Sequence, residues 1–342
     1  MIVRARAPLR LGLAGGGTDV SPYCDVYGGY ILNVTIDRYA YAVIKECDDR
    51  RVRLIASDLQ KTTEIGLDGE ITQDAGLLLH KCIYDYMMKT YNNNVRMPIE
   101  LTTFCDAPPG SGLGSSSTLV VAIIKAFVHF LNLPLSDYDI GQLAYRLERI
   151  ECGLQGGRQD QYSATFGGFN FMEFYADEHI VINPLRVQSW IQCELESSLV
   201  LFYTGSSRES ANIIADQSKA LKKNDTIAVE AMHKMKQEAL DMKESVLRGD
   251  FNGIAEIMQK GWINKKLSAK SVSNPLIDEI YDNAMKAGAI AGKVSGAGGG
   301  GFMLFLVPNE NRMQLIRCLN NYSGEVKNCH FTNIGCESWA LQ

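Results

Sequence analysis

Apolar and polar residues alternate with period two in four early segments: IVRAR (2–6), YAYAVIKE (39–46), RVRLIAS (51–57) and MPIELTTF (97–104). That period predicts strands with one face buried. AGLLLHKCIYDYMMKTY (75–91) instead spaces its apolar residues as a helix does. The run LVVAIIKAFVHFL (119–131) follows a Gly/Ser-rich turn and places a helix near 115–132, with another near 137–152. GFNFMEFY and HIVINPL then read as strands. The pattern changes near 190–200. LVLFYTG (199–205) reads as a buried strand, and three long helical stretches run to about residue 268. One of them, IAVEAMHKMKQEALDMKESVL, carries Lys and Glu on its polar face. The tail alternates between helix PLIDEIYDNAMKAG, turn KVSGAGGGG, strand FMLFLV, helix NENRMQLIRCLNNY and strand VKNCHFTN. This order predicts a split βαβ sandwich with helices on one sheet face. Two α+β domains, 1–190 and 191–342, are the expected organisation.

Composition narrows the class. The 342 residues are 46% hydrophobic and 21% charged, enough apolar material for real cores. A net charge of −5 offers no global basic field, so neither nucleic acid nor an anionic membrane is an expected partner. A small anionic substrate must be held by local donors. Nine cysteines are scattered without a C-x-x-C pair, and the five histidines form no H-E-x-x-H, which argues against zinc. Unpatterned cysteines fit reduced thiols in a cytoplasmic protein. The start, MIVRARAPLRLGL, has no signal-peptide apolar core, and no apolar run reaches the roughly 18 residues of a membrane span. Nothing in the pattern gives the oligomeric state.

Chemistry concentrates in three glycine-rich turns and one acidic segment. APLRLGLAGGGTD (7–19) ends a strand in Gly15, Gly16 and Gly17, with Thr18, Asp19 and an upstream Arg10. It reads either as a tight turn capped by Asp19 or as a place where bare backbone meets a ligand. PPGSGLGSSST (108–118) leads into a helix, whose free N–H groups and dipole favour phosphate. It is no Walker A loop, because no Lys-Ser/Thr follows its last glycine; H-R-D, D-F-G and a strand-borne G-x-G-x-x-G are also missing. KVSGAGGGGFMLFL (293–306) lies between a helix and an apolar strand, which suits close approach to a ligand better than a flexible linker. LERIECGLQGGRQDQYSATFGG (147–168) holds Glu148 on a helix and Asp160 just past a Gly156-Gly157 turn. Each carboxylate alone reads as a solvated side chain or a cap. Together, the amides of 110–117, Ser116 with Glu148, Asp160 and Arg10 supply what phosphoryl transfer needs: a phosphate cradle, oxygen ligands for Mg²⁺, a base and a cation.

The three turns, in this order, make the chain similar to the GHMP kinases, the superfamily of galactokinase, homoserine kinase, mevalonate kinase and phosphomevalonate kinase. The resemblance implies the GHMP-kinase fold, with a ribosomal protein S5 domain 2-like N-terminal domain and a ferredoxin-like C-terminal domain. It implies ATP as phosphoryl donor, with Mg²⁺. Carried over by motif position, Pro109, Gly110, Ser111, Gly112, Leu113, Gly114, Ser115, Ser116 and Ser117 wrap the ATP phosphates. Ser116 and Glu148 become the Mg²⁺ ligands, Asp160 the base, and Arg10 the cation beside it. Ser295, Gly296, Ala297, Gly298, Gly299 and Gly300 close over phosphates and acceptor, while Asp19, behind Gly15 to Thr18, contacts the sugar. Gly15-Gly16-Gly17-Thr18-Asp19 stands where galactokinases have Gly-Glu-His-Thr-Asp, which opens room for a larger or phosphorylated acceptor. With YCDVYGGYILNVTIDRYAYAVI behind it, this form looks most like bacterial D-glycero-D-manno-heptose 7-phosphate kinases and the kinase domain of fucokinases. The implied reaction phosphorylates the anomeric hydroxyl, towards a GDP-activated heptose for surface polysaccharide. Arg158 and Arg208, with Ser206 and Ser207, are the expected donors for the 7-phosphate. The competing readings are a sugar 1-kinase for an unphosphorylated sugar and a catalytically silent sugar sensor on the same fold.

Overall fold

Strand β1 (Ile2–Ala14) alternates buried and exposed side chains up to Ala7 and is buried almost throughout after it. The cause is a change of surroundings. Val3, Ala5 and Ala7 belong to one apolar core, and Leu9, Leu11 and Leu13 to a second. The computed structural model describes residues 1–69, 76–176, 179–205, 210–222 and 225–341.

After β1 come α1 (Tyr23–Tyr27), β2 (Gly29–Glu46), β3 (Arg51–Ala56), β4 (Lys61–Gly66), α2 (Leu78–Tyr91) and β5 (Ile99–Cys105). Then follow α3 (Ser115–Phe130), α4 (Asp137–Tyr145), α5 (Gln159–Phe166), β6 (Phe169–Phe174) and β7 (Ile180–Pro184). The long β2 does double duty. Its first half pairs with β6, and its second half pairs with β5. The sheet runs β12-β1-β2-β5-β3-β4, where β12 (Glu337–Leu341) is the last strand of the chain. Helices α2, α3 and α4 cover one face through the core of Ile83, Met87, Val120, Ile124 and Phe127.

The second unit contains α6 (Ser189–Ser198), β8 (Leu199–Tyr203), α7 (Ser210–Lys222), α8 (Thr226–Arg248), α9 (Phe251–Ser268), α10 (Pro275–Lys286), β9 (Ala291–Val294), β10 (Phe302–Leu306), α11 (Arg312–Leu319) and β11 (Glu325–Lys327). Its antiparallel sheet has the order β11-β8-β10-β9, the arrangement of a ferredoxin-like sandwich. Both faces of this sheet are covered, which is why LVLFY and FMLFL read as unbroken apolar runs. Val200, Phe202, Met303 and Phe305 face α10 and α11, whereas Leu199, Leu201, Leu304 and Leu306 face the core shared with β1, β2, α8 and α9.

Three expectations change. The strand over 326–333 shortens to β11, followed by an isolated bridge between Ile36 and Phe331. From there the chain returns to the first sheet, where β12 pairs with β1. The division at residue 190 therefore leaves out a tail that crosses back, and the second unit is not a contiguous 191–342. The helix over 137–152 is α4 followed by a π-helical turn at Arg146–Glu151. Among the described residues no helix is long and apolar enough to cross a membrane.

Gly15 shows how tightly the end of β1 is built. It has φ +80°, and a Cβ there would lie 1.9 Å from the Tyr30 carbonyl oxygen. The Thr18 hydroxyl lies 2.9 Å from the carbonyl oxygens of both Gly15 and Tyr30, and accepts the Tyr30 N–H at 3.1 Å. Gly15→Ala is expected to cost about 2 kcal/mol or more through left-handed strain and this clash. Thermal unfolding followed by circular dichroism should show Tm lower by about 3 °C; an unchanged Tm would mean that the turn relaxes freely.

Candidate active site

The loop between β5 and α3 turns through Gly110, Gly112 and Gly114, with φ of +71°, +82° and +78°. Side chains resist these values. Alternating φ signs are the backbone pattern of an anion-binding nest. Gly114 caps α3 without a side-chain hydrogen bond, so the N–H groups of Ser115, Ser116 and Ser117 have no helical acceptor. Pro109, Gly110, Gly112, Gly114 and these three serines line a cavity of about 620 Å³, a size suited to a small-molecule site. Leu113 lies in the core instead, and Ser111 is buried, its carbonyl accepting the Phe302 N–H at 2.9 Å.

Arg10 reaches this loop from β1, where the pairing with β2 shifts register between Pro8 and Arg10 and again between Gly12 and Ala14. Such irregularities re-aim side chains next to functional sites. The buried Arg10 donates from Nε to Asp160 Oδ1 at 2.7 Å and from Nη1 to the Gly112 carbonyl at 2.7 Å. Asp160 stands in the first turn of α5 and keeps 19% of its side chain exposed, facing the cavity.

Asp19 is buried, yet also borders the cavity. Its carboxylate accepts the N–H groups of Gly17 at 3.3 Å, Arg158 at 2.9 Å and Gln159 at 3.0 Å. It therefore fastens the 15–19 turn to the start of α5, one residue before Asp160. Gly157 has no room for a side chain, since a Cβ would lie 2.0 Å from Asp19 Oδ2. Gly16 and Gly17 line the cavity, while Gly15 and Thr18 hold the turn from behind.

Ser116 and Glu148 meet as the motif positions imply. The Ser116 hydroxyl donates to Glu148 Oε1 at 2.8 Å. Glu148 is fully buried; Gln161 donates to its Oε2 at 2.7 Å, and Arg149 Nη1 is 3.3 Å from Oε1. The π-helical turn carrying Glu148 is closed by Cys152 N–H to the Leu147 carbonyl at 2.9 Å, a wide turn often found at functional sites.

The 295–301 loop closes the cavity mainly by backbone packing. Ser295 donates from Oγ to the Gly112 carbonyl at 2.9 Å, and a Cβ on Gly296 would lie 2.6 Å from Gly112 Cα. Gly299 N–H binds the Val272 carbonyl at 2.7 Å, and Gly298 packs against the same residue. Gly296 and Ala297 border the cavity. The glycines expected to approach a ligand thus also let two loops touch each other.

Of the two expected phosphate donors, Arg158 is not brought to the cavity. The Arg158 guanidinium binds Asp25 at 2.8 Å, Ser21 at 3.4 Å and the Tyr175 carbonyl at 3.1 Å, and lies over the Tyr145 ring. Its backbone N–H, not its charge, serves the site. Arg208, with Ser206 and Ser207, lies outside the described residues. Residues not anticipated are Arg149, Gln155, Gln159, Gln217 and Lys265, all bordering the cavity. The flanking of Asp160 by two glutamines was the one visible signal.

Comparison with known proteins matches the model of the GHMP kinases N terminal domain to residues 78–168 and that of the GHMP kinases C terminal to residues 242–322. The D-glycero-alpha-D-manno-heptose 7-phosphate kinase of Campylobacter jejuni is 44% identical over 99% of both chains. The crystal structure of a D-glycero-D-manno-heptose 1-phosphate kinase from Bacteriodes thetaiotaomicron, 43% identical, superposes with a TM-score of 0.84 over 99% of both chains. The L-fucokinase/L-fucose-1-P guanylyltransferase of Bacteroides fragilis is 27% identical over 92% of this chain and 36% of its own length. Whole-length similarity of this kind, together with the two matched domain models, leads to one assignment: the chain belongs to the GHMP kinase family.

Proposed function

We propose that the protein transfers the γ-phosphoryl group of ATP to the anomeric hydroxyl of D-glycero-D-manno-heptose 7-phosphate, giving the 1,7-bisphosphate. The observation carrying this reading is the placement of Asp160. Its carboxylate lies between the 110–117 loop, suited to the nucleotide phosphates, and the 16–19 turn, suited to a sugar. The 44% identity over the whole chain to a heptose 7-phosphate kinase supplies the acceptor.

Phosphoryl transfer depends on position and charge more than on covalent chemistry. In the proposed step the anomeric oxygen attacks the γ-phosphorus, its proton passes to Asp160, and the bond to the ADP oxygen breaks. Arg10 holds Asp160 Oδ1, which leaves Oδ2 free of protein partners among the described residues to face the hydroxyl. An anomeric hydroxyl is more acidic than an ordinary alcohol, so a carboxylate suffices as base. The free amides at the start of α3 stabilise phosphate charge.

Mg²⁺ fits the donor set. Ser116 and Glu148 offer hard oxygen atoms, and no cluster of three His, Cys, Asp or Glu exists among the described residues. Phosphate oxygens and water would complete the shell of a bound Mg²⁺, which would neutralise charge on the phosphates.

A coupled ADP-release assay across D-glycero-D-manno-heptose 7-phosphate, fucose and galactose tests the acceptor. Turnover is expected with the heptose phosphate and a loss of nearly all activity with the other two; comparable rates on fucose would favour the unphosphorylated-sugar reading. Asp160→Asn should lower kcat by about 10²–10⁴-fold, with the Kd for an ATP analogue within about threefold. Unchanged turnover would remove Asp160 as base.

A further inference from the structure

Three positive side chains border the cavity among the described residues: Arg10, Arg149 and Lys265. Two are already spent. Arg10 is paired with Asp160, and Arg149 faces Glu148 while donating to Ser117 and to the carbonyls of residues 155 and 157. Lys265, on the last turns of α9, differs. It is only 5% exposed, and its ammonium donates to one backbone carbonyl, that of Gly296. An ammonium has three donors, and a buried charge without a counter-ion is strongly unfavourable. The adjacent carboxylate, Asp19, is occupied by the N–H groups of Gly17, Arg158 and Gln159.

Position indicates which anion Lys265 would meet. Lys265 stands beside the acceptor turn: a Cβ built on Gly16 would lie 3.5 Å from Nζ. The nucleotide phosphates have their own partners in the amides of 110–117. Lys293, a second buried lysine, donates instead to the carbonyls of Gly12 and Leu13 at 2.9 and 3.1 Å. Burial and then Arg10 push Lys265 down to about 8, with Asp19 opposing; a phosphate at Nζ would favour its charged form. The glycine at position 16 leaves open the space through which such a group reaches Nζ.

We infer that Lys265 is the specificity-determining cation that holds the phosphate already carried by the acceptor sugar, a role that neither Arg158 nor the catalytic pair fills. This assignment rests on the proposed sugar-phosphate acceptor. The test compares wild type, Lys265→Met and Lys265→Arg on D-glycero-D-manno-heptose 7-phosphate and on the same heptose without phosphate. Lys265→Met should lose about 30-fold more kcat/KM on the phosphorylated sugar than on the plain one, chiefly through KM. Lys265→Arg should recover most of that difference, and KM for ATP should stay within about threefold. Equal losses on the two sugars, carried by kcat, would assign Lys265 to the transferred phosphoryl group and overturn the inference. If Lys265→Met no longer binds the nucleotide, Lys265→Gln takes its place in the same comparison. A wild-type enzyme that prefers the plain heptose would instead refute the proposed acceptor, and the inference with it.

Discussion

One backbone oxygen holds the catalytic region together. The Gly112 carbonyl accepts from Arg10 Nη1 at 2.7 Å and from Ser295 Oγ at 2.9 Å. These donors lie 102 and 183 residues away in sequence, on the first strand and on the loop between β9 and β10. A carbonyl has two lone pairs, and both are used here. Losing either donor would remove one of the two hydrogen bonds from this half-buried acceptor, at about 0.5–1.5 kcal/mol for Ser295 and more for the charged Arg10. The cavity exists because three segments close on this atom. Glycine is required at 112 and 296 because the two backbones touch there: a Cβ on Gly112 would lie 2.5 Å from the Ser295 carbonyl oxygen.

Asp19 makes the second connection. By gathering N–H groups from the 15–19 turn and from the start of α5, it sets the distance between that turn and Asp160. The sugar contact proposed for it and its observed role as a clamp are compatible, since it also borders the cavity. A ligand that disturbs Asp19 therefore moves Asp160 as well. Glu148 is clamped in the same way, by Ser116, Gln161 and Arg149. Both carboxylates reach the site held by protein donors, so little ordering remains for substrates to impose.

Local pattern made much of this legible. The strands over 39–46, 51–57 and 97–104 and the helices after residue 226 follow periodicity closely. The glycine turns, Arg10 beside Asp160 and Ser116 beside Glu148 were readable because each motif carries its own chemistry. Other features depend on partners far along the chain. β12 pairs with the edge of β1 across 331 residues or more, and nothing in its five residues announces that. Arg158 looked available because Asp25, 133 residues away, gives no signal of pairing with it. Lys265 sits in the polar run INKKLSAK, where one buried lysine is indistinguishable from its exposed neighbours until α9 is packed.

The most direct measurement is a crystal structure of the complex with Mg²⁺, a non-hydrolysable ATP analogue and the heptose 7-phosphate. The account predicts the anomeric oxygen about 2.6–3.2 Å from the Asp160 carboxylate and in line with the γ-phosphate above the amides at the start of α3. A sugar whose anomeric oxygen turns away from Asp160, with the γ-phosphate outside that loop, would contradict it.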